Sequence, residues 1–183
     1  LAVPKTFRDY NRVASFFTRG CNAASPTQYG STVAIGNVVV SPSEFMPRLF
    51  AENGRLLDSQ GRITLDTPEA LRALENYRET YSYSDRTIYD FWKNALEGFA
   101  DGTAAMTVVF INYASHILNS QMSRIAGKLG FAPVPGGKPL LGGGVIGITQ
   151  SCTCPAAACK FLEWLYADLV APVFTMLGGL SPC

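Results

Sequence analysis

The run Phe99-Ala-Asp-Gly-Thr-Ala-Ala-Met106, continuing into Thr107-Val-Val-Phe-Ile111, constrains the fold more than any other part of the chain. The end of a helix passes through a Gly turn straight into an apolar stretch, which predicts a strand over 104–111 followed by a helix over 113–126. Further on, the pattern predicts strands over 129–133 and 145–149, a helix over 155–169 and a short C-terminal helix. Strands separated by helices imply an α/β sheet, not a bundle or a sandwich. The string contains no nucleophile, metal cluster or phosphate loop, so the chain reads as a binder. There is no internal repeat.

The N-terminal part supplies the helices that would cover such a sheet. Thr6 is a candidate N-cap with Asp9 three residues on, and Phe7, Tyr10, Val13, Ala14 and Phe17 share one helical face that ends near Gly20. A loop from Ser25 to Asn37 carries a short strand over Thr32 to Ile35. Ser41-Pro-Ser-Glu-Phe-Met-Pro47 opens a second helix with its prolines in the first turn, and Asn53-Gly54 stops it. Arg55 to Leu65 reads as a hairpin turning at Asp58 to Gly61. Asp66-Thr-Pro-Glu69 then starts a helix with the stripe Ala70, Leu71, Ala73, Leu74, Tyr77 and Tyr81. Another helix carries Ile88, Phe91, Trp92, Ala95, Leu96 and Phe99 on its face.

Composition excludes several classes. The 183 residues are 48% hydrophobic and 16% charged, as in an ordinary globular chain with one core or two small lobes. Fifteen Lys and Arg against fourteen Asp and Glu leave a net charge of +1 with no basic stripe, so neither nucleic acid nor an anionic membrane surface is an implied partner. The apolar run from Ala104 to Ile111 is far shorter than the ~20 residues that span a bilayer. The chain starts at Leu1 without a basic, then apolar leader, which implies a removed leader or a piece of a longer protein. Five cysteines, an odd number, lean towards a reducing compartment.

Few residues have the spacing that chemistry needs. Cys152-Thr-Cys154 with Cys159 does not match zinc-ligand spacing, and these thiols are expected to pack as small apolar groups; no metal and no cofactor are implied. His116, the only histidine, has no acid or thiol at a matched offset. Asp58 and Asp66 flank a turn without the closing Glu of a calcium loop. Gly142-Gly-Gly144 is followed by no Lys-Ser or Lys-Thr pair, so it is not a phosphate cradle; it permits either close backbone packing or close approach of a ligand. Asn112 and Tyr113 stand where the predicted strand 104–111 ends, the end at which open α/β sheets bind ligands. Two readings of them stand: a hydrogen-bonding Asn with a Tyr stacking platform for a sugar face, or a helix cap with a half-buried ring.

The order of pieces is more specific than any of them alone. Pro4 to Tyr10, Phe45 to Gly54, Asp58 to Leu74, Phe99 to Met106, Leu129 to Gly137, Gly142 to Ile148, Ala156 to Leu165 and Gly178 to Pro182 together resemble the family 1 extracellular solute-binding proteins, the sugar-binding components of ABC importers, over nearly the whole chain. The resemblance implies a periplasmic-binding-protein-like (type II) two-lobed α/β clamp, present as a fragment, that closes on a sugar or oligosaccharide without catalysis. Residues 1–131 would form most of the second lobe, 132–137 the interlobe crossover, and 138–183 the segment returning to the first lobe. Carried over by position, Tyr113 matches the aromatic platform with Asn112 before it, Gly143 and Gly144 match the Gly-rich strand entry at the cleft, and Ser43 and Glu44 match the start of a helix facing ligand. Tyr113 stands where Trp is commoner.

The implied partners are a small carbohydrate and an ABC permease, and the implied location is extracellular, on the cell surface as a lipoprotein, or periplasmic. Phe7 to Thr18, Tyr29-Gly30 and Leu180 to Cys183 also look like a subgroup fused behind a GntR-type winged-helix regulator. There the clamp would be a cytoplasmic ligand sensor attached to a DNA-binding domain, this segment itself making no nucleic acid contact. An incomplete lobe would expose apolar surface open to homodimerisation. A hydrolase reading would need a second acid opposite Glu44 at about 5–9.5 Å, and the sequence names none.

Overall fold

Thr6 starts the first helix as its sequence predicts. Its hydroxyl accepts the Asp9 amide at 3.1 Å and donates to Asp9 Oδ2 at 2.8 Å, which satisfies an amide that the first turn cannot pair internally. The structure, a computed structural model, describes residues 2–36, 40–87, 92–177 and 179, with the side chains of 92–94 left aside. Ile88, Phe91, the Trp92 side chain, Gly178 and Leu180 to Cys183 therefore lie outside the described residues.

Helix α1 (Phe7–Phe16) buries Phe7, Tyr10, Asn11 and Ala14 and ends before Gly20. Thr18 explains the early stop: its hydroxyl donates to the Ala14 carbonyl at 2.8 Å and accepts the Gly30 amide at 3.0 Å, tying the helix end to strand β1 (Tyr29–Ser31). Strand β1 pairs in parallel with β2 (Ala104–Met106), Tyr29 opposite Ala104 and Ser31 opposite Met106. The ladder is thus shorter than the predicted strand 104–111 and lies ahead of the predicted 32–35, because pairing, not residue preference, defines its ends.

Helix α2 (Val40–Ala51) carries Pro47 inside it, not in its first turn, and packs on α3 (Pro68–Ser82). It closes in a Schellman arrangement, with Asn53 at φ 63°, its amide on Phe50 O and the Gly54 amide on Leu49 O at 2.9 Å. Thr67 caps α3 by accepting the Ala70 amide at 3.3 Å. Ala70, Ala73, Tyr77 and Thr80 are buried, while Leu71 and Leu74 of the predicted stripe are exposed. Between α2 and α3 the expected hairpin is present, with Leu57 bridging Ile63 and the Asp58 carboxylate taking the Gln60 and Arg62 amides.

Helix α4 (Trp92–Ala100) leads through Gly102, at φ 77°, into β2. The predicted helix 113–126 is instead a 3-10 turn, Ile111–Tyr113, and the short α5 (Ala114–Leu118). Its continuation is lost because the Arg124 amide and the Ser123 hydroxyl turn back to the Ala100 carbonyl at 2.9 and 3.3 Å. Residues 129–133 and 145–149 form no strand, having no ladder partner among the described residues. A strap from Leu129 to Gly137 runs back past α2: the Gly136 amide donates to Lys5 O at 2.8 Å, and Lys138 Nζ donates to Asn53 Oδ1.

Helices α6 (Pro155–Leu165) and α7 (Ala171–Met176) bury no residue, α6 being shorter than the predicted 155–169. Cys154 and Cys159 are exposed and Cys152 half-buried, against the expectation that they pack inside. They ride on this uncovered segment, so their small apolar character finds nothing to pack against.

Gly30 is where α1 and the sheet come closest, since a Cβ built there would sit 1.8 Å from the Ala14 carbonyl oxygen. The contact is with backbone, which cannot rotate away. Gly30→Ala is expected to destabilise the chain by about 3 kcal/mol, read from urea unfolding, whereas Gly20→Ala, facing open space, leaves the midpoint nearly unchanged.

Candidate functional site

Beyond Met106 the chain runs extended to Phe110, and opposite it stand the N-terminal half of α2 and the strap 129–135. Between them lies an apolar cavity of about 480 Å³. Phe99, Met106, Val108, Phe110, Leu129 and Phe131 are among its apolar lining residues, and Tyr10, Ser43, Glu44 and Thr107 bring polar side chains to it. Among the described lining residues Glu44 is the only carboxylate.

Glu44 is buried, and among the described residues each of its oxygens has one donor. Oε1 accepts the Ala34 amide at 3.1 Å, and Oε2 accepts Nη1 of Arg48, one helical turn on, at 3.0 Å. The Arg48 guanidinium lies between the Phe7 ring of α1, 4.6 Å from its centroid, and the Tyr77 ring of α3, at 5.1 Å. Its Nη2 donates to Thr80 Oγ1 at 3.3 Å, and that hydroxyl donates to Asn11 Oδ1 at 2.6 Å. Nε of Arg48 is buried with no hydrogen-bond partner among the described residues. The Tyr77 hydroxyl donates to Ala34 O at 3.2 Å, so both polar backbone groups of Ala34 are held by the helices.

Burial raises the Glu44 carboxyl above its usual value, with Arg48 and the Ala34 amide acting in the opposite sense. Burial also pushes Tyr77 up to about 12 and Tyr10 well above the ordinary phenol range. Tyr10 gives its proton to Ser31 Oγ at 2.7 Å, since the Ser31 hydroxyl itself donates to Thr32 O at 2.9 Å.

Of the residues singled out by sequence, Ser43 and Glu44 line the cavity. Asn112 and Tyr113, in the 3-10 turn, are outside the lining although Ile111 and Ala114 on either side belong to it; Tyr113 is half-buried and packs on the cluster of Ala34, Val40 and Ala95. Gly142 ends the lining, and a Cβ there would lie 2.8 Å from Phe110 Cε1; Cβ atoms at Gly143 and Gly144 would meet open space. Arg48 and Tyr10 were not singled out as site residues by sequence. Spacing carried a signal for the first, because Glu44 and Arg48 stand four apart on one helix.

A family model described as bacterial extracellular solute-binding protein matches residues 1–182. The chain belongs to that family. Maltose-bound MalE3 of T. maritima superposes with a TM-score of 0.82 at 24% identity, over 99% of this chain and 48% of that one. An ABC transporter solute-binding protein of Thermotoga lettingae, bound with α-D-tagatose, superposes at 0.81 with 27% identity, over 98% and 46%. A protein of Sinorhizobium fredii named as an amino-acid ABC transporter periplasmic-binding protein, y4oP, is 20% identical over 97% of this chain and 40% of its own length. The fold is the type II periplasmic-binding-protein-like α/β fold, and this solute-binding protein chain spans about half the length of the solved structures it matches. No helix of the described residues is long and apolar enough to cross a membrane, and no group of three or more His, Cys, Asp or Glu among them could hold a metal ion.

The raised Glu44 value has a thermodynamic consequence. The folded state binds more protons here than the unfolded state, so this group favours folding most below the ordinary carboxylate value of 4.5 and loses that contribution as pH rises through the raised value. In urea unfolding from pH 4.5 towards neutrality, wild type is expected to lose stability relative to Glu44→Gln. Parallel curves would show that Glu44 does not titrate differently in the two states.

Proposed function

We propose that this chain is part of the sugar-binding component of an ABC importer, gripping a neutral, hydroxyl-rich molecule beside the cavity and converting nothing. The observation that carries the reading is the cavity itself, a mostly apolar, aromatic-lined slot with one buried acid, Glu44, among its lining residues, in a chain that has the solute-binding fold from end to end. Apolar walls with a few fixed polar groups suit a sugar, whose faces are apolar and whose rim carries hydroxyls. The single acid is already paired with Arg48, and hydrolysis of a glycosidic bond usually needs two carboxyls, which supports binding without catalysis. Sugar ligands in two of the matched structures support the carbohydrate class, and the name of y4oP makes amino acids the competing class.

In this reading residues 1–131 are most of one lobe, 132–137 the crossover and 138–183 the segment returning to the other lobe. Support comes from the uncovered helices α6 and α7, whose Phe161, Trp164, Val173 and Phe174 are exposed. Tyr113, Asn112, Gly143 and Gly144 would meet ligand from the cleft side, with Ser43 and Glu44 behind them in the cavity wall. A permease would be the macromolecular partner of a carrier, which would work outside the cytoplasmic membrane as a lipoprotein or periplasmic protein. The uncovered apolar segment would also let two copies of this chain associate.

The unpaired thiols Cys21, Cys154 and Cys159, all exposed, favour a second reading, a cytoplasmic ligand sensor attached to a GntR-type DNA-binding domain. Labelling of these thiols in intact cells by a membrane-impermeant maleimide separates the two: a carrier is labelled and a sensor is not.

Calorimetry and thermal shift against maltose, D-tagatose and the common amino acids test the ligand class. A saturable response to a sugar supports the proposal, and a response to amino acids alone overturns it. Tyr113→Ala is expected to weaken sugar binding by about 1–3 kcal/mol, measured on protein that urea unfolding shows to be folded, since the ring also packs on Ala34, Val40 and Ala95. An unchanged affinity removes Tyr113 from the site.

A further inference from the structure

Glu44 differs from an ordinary structural ion pair in its place. It forms part of the cavity wall, yet its donors among the described residues are the Ala34 amide and Arg48, neither of which belongs to the cavity lining. A carboxylate has about four acceptor sites, and these bonds take one on each oxygen. The remaining capacity suits a donor that enters the cavity, and in a slot of this apolar character the donors a neutral ligand offers are hydroxyls. Arg48 is entirely inside the protein, held from three helices: by Phe7 of α1, by Glu44 of its own helix, and by Tyr77 and Thr80 of α3. A planar cation stacked between two rings with both terminal nitrogens bonded cannot change direction without unstacking.

We propose that Arg48 is a positioning residue for the binding site: caged between Phe7 and Tyr77, it holds the Glu44 carboxylate ionised and aimed so that the cavity presents an acceptor for the hydroxyls of a neutral ligand. This rests on the sugar-binding reading above. Without the guanidinium, the buried Glu44 carboxyl has only the Ala34 amide to favour its charge, and it takes up a proton. It then presents a donor where the ligand also presents one. The other titratable groups facing it are Tyr10 from α1 and Tyr77 from α3, both kept neutral by burial throughout the range of the experiment, and Glu79 of α3, which is reached only through Asn11. Arg48 is therefore the only cation among the described groups set against Glu44.

The prediction separates charge from packing through pH. Arg48→Met keeps the length and loses the cation; Arg48→Lys keeps a cation and loses the planar fork. With maltose and D-tagatose as calorimetric probes, wild type is expected to bind the responding sugar with an affinity that varies less between about pH 6 and 8 than that of Arg48→Met, since Arg48 opposes the rise that burial imposes on Glu44. Arg48→Met is expected to bind about tenfold more weakly at neutral pH, as loss of a charge-assisted hydrogen bond implies, and to recover as pH rises and Glu44 ionises. Glu44→Gln is expected to match the weak limit at every pH, and Arg48→Lys to lie between wild type and Arg48→Met. Should Arg48→Met fail to fold, the Arg48→Lys profile carries the test. A loss of affinity that is the same at every pH, or folded variants that bind like wild type, overturns the proposal. If the wild-type chain binds no sugar, the functional reading fails, and the positioning claim is judged on the Glu44 carboxyl carbon followed by NMR titration. Its midpoint must rise in Arg48→Met, and an unmoved midpoint overturns the claim.

Discussion

The three N-terminal helices meet on one buried cation. A guanidinium taken out of water costs several kcal/mol, and attraction to a carboxylate offsets this only when geometry and additional hydrogen bonds are favourable. Here the compensation comes from all three helices: the Glu44 oxygen at 3.0 Å, the Thr80 hydroxyl, and two ring faces, with Nε alone left unpaired among the described residues. Because each helix supplies one part, displacing any of them leaves the charge exposed to an apolar interior. That requirement fixes the mutual placement of α1, α2 and α3 more narrowly than the packing of Ala70, Ala73 and Leu49 alone could, since small apolar side chains tolerate sliding. The same arrangement sets the Ala34 backbone, and through it the segment that follows β1.

The parts of the fold legible in the sequence are those decided within a few residues. Thr6 with Asp9, Thr67 before Pro68, and Asn53-Gly54 mark helix ends because capping involves only neighbouring amides and carbonyls. The turn at Asp58 is legible for the same reason. Strands were legible only in part, β2 starting at the predicted Ala104 but ending early, because an extended run becomes a strand only beside a partner: Val145 to Thr149 has the composition of one, yet Val145 is wholly exposed. The helix expected through residue 126 was overridden by the Ala100 carbonyl, which lies more than twenty residues away in sequence and takes the Arg124 amide. Distance in sequence thus separates what was readable from what was not.

The candidate site shows the same division. Ser43 and Glu44 were reached through the order of motifs, which is how a helix start can be matched to a family without knowing its surroundings. Arg48 was missed although its spacing from Glu44 was visible, because Glu and Arg four apart normally describe a solvated helix face. Only Phe7 and Tyr77, contributed by other helices, turn that face inward. Cys154 and Cys159 err in the opposite direction: residue type favours burial, but α6 has nothing laid against it among the described residues.

A ligand site built this way has a particular economy of rigidity. The cavity wall from Thr107 to Phe110 and the strap from Leu129 form no helix or strand, and apart from Thr107, whose hydroxyl accepts from Thr32 Oγ1 at 2.7 Å, neither can hold a polar side chain against the cavity in a fixed direction. The α2 wall can, because Glu44 is anchored from behind by a residue that is itself immobilised by α1 and α3. Pro47, on the same helix and also lining the cavity, cannot give the Ser43 carbonyl the usual helical bond, so this turn of α2 is held less by its own ladder and more by the Arg48 side chain, which donates to the Glu44 carbonyl as well as to its carboxylate. In the proposed sugar-binding role, selectivity for a hydroxyl-rich molecule would depend on an acceptor that does not turn to follow whatever enters, since a mobile carboxylate would take water or a cation as readily. The buried pair supplies that fixity for a carboxylate, as the Thr32 hydroxyl does for Thr107 on the facing wall.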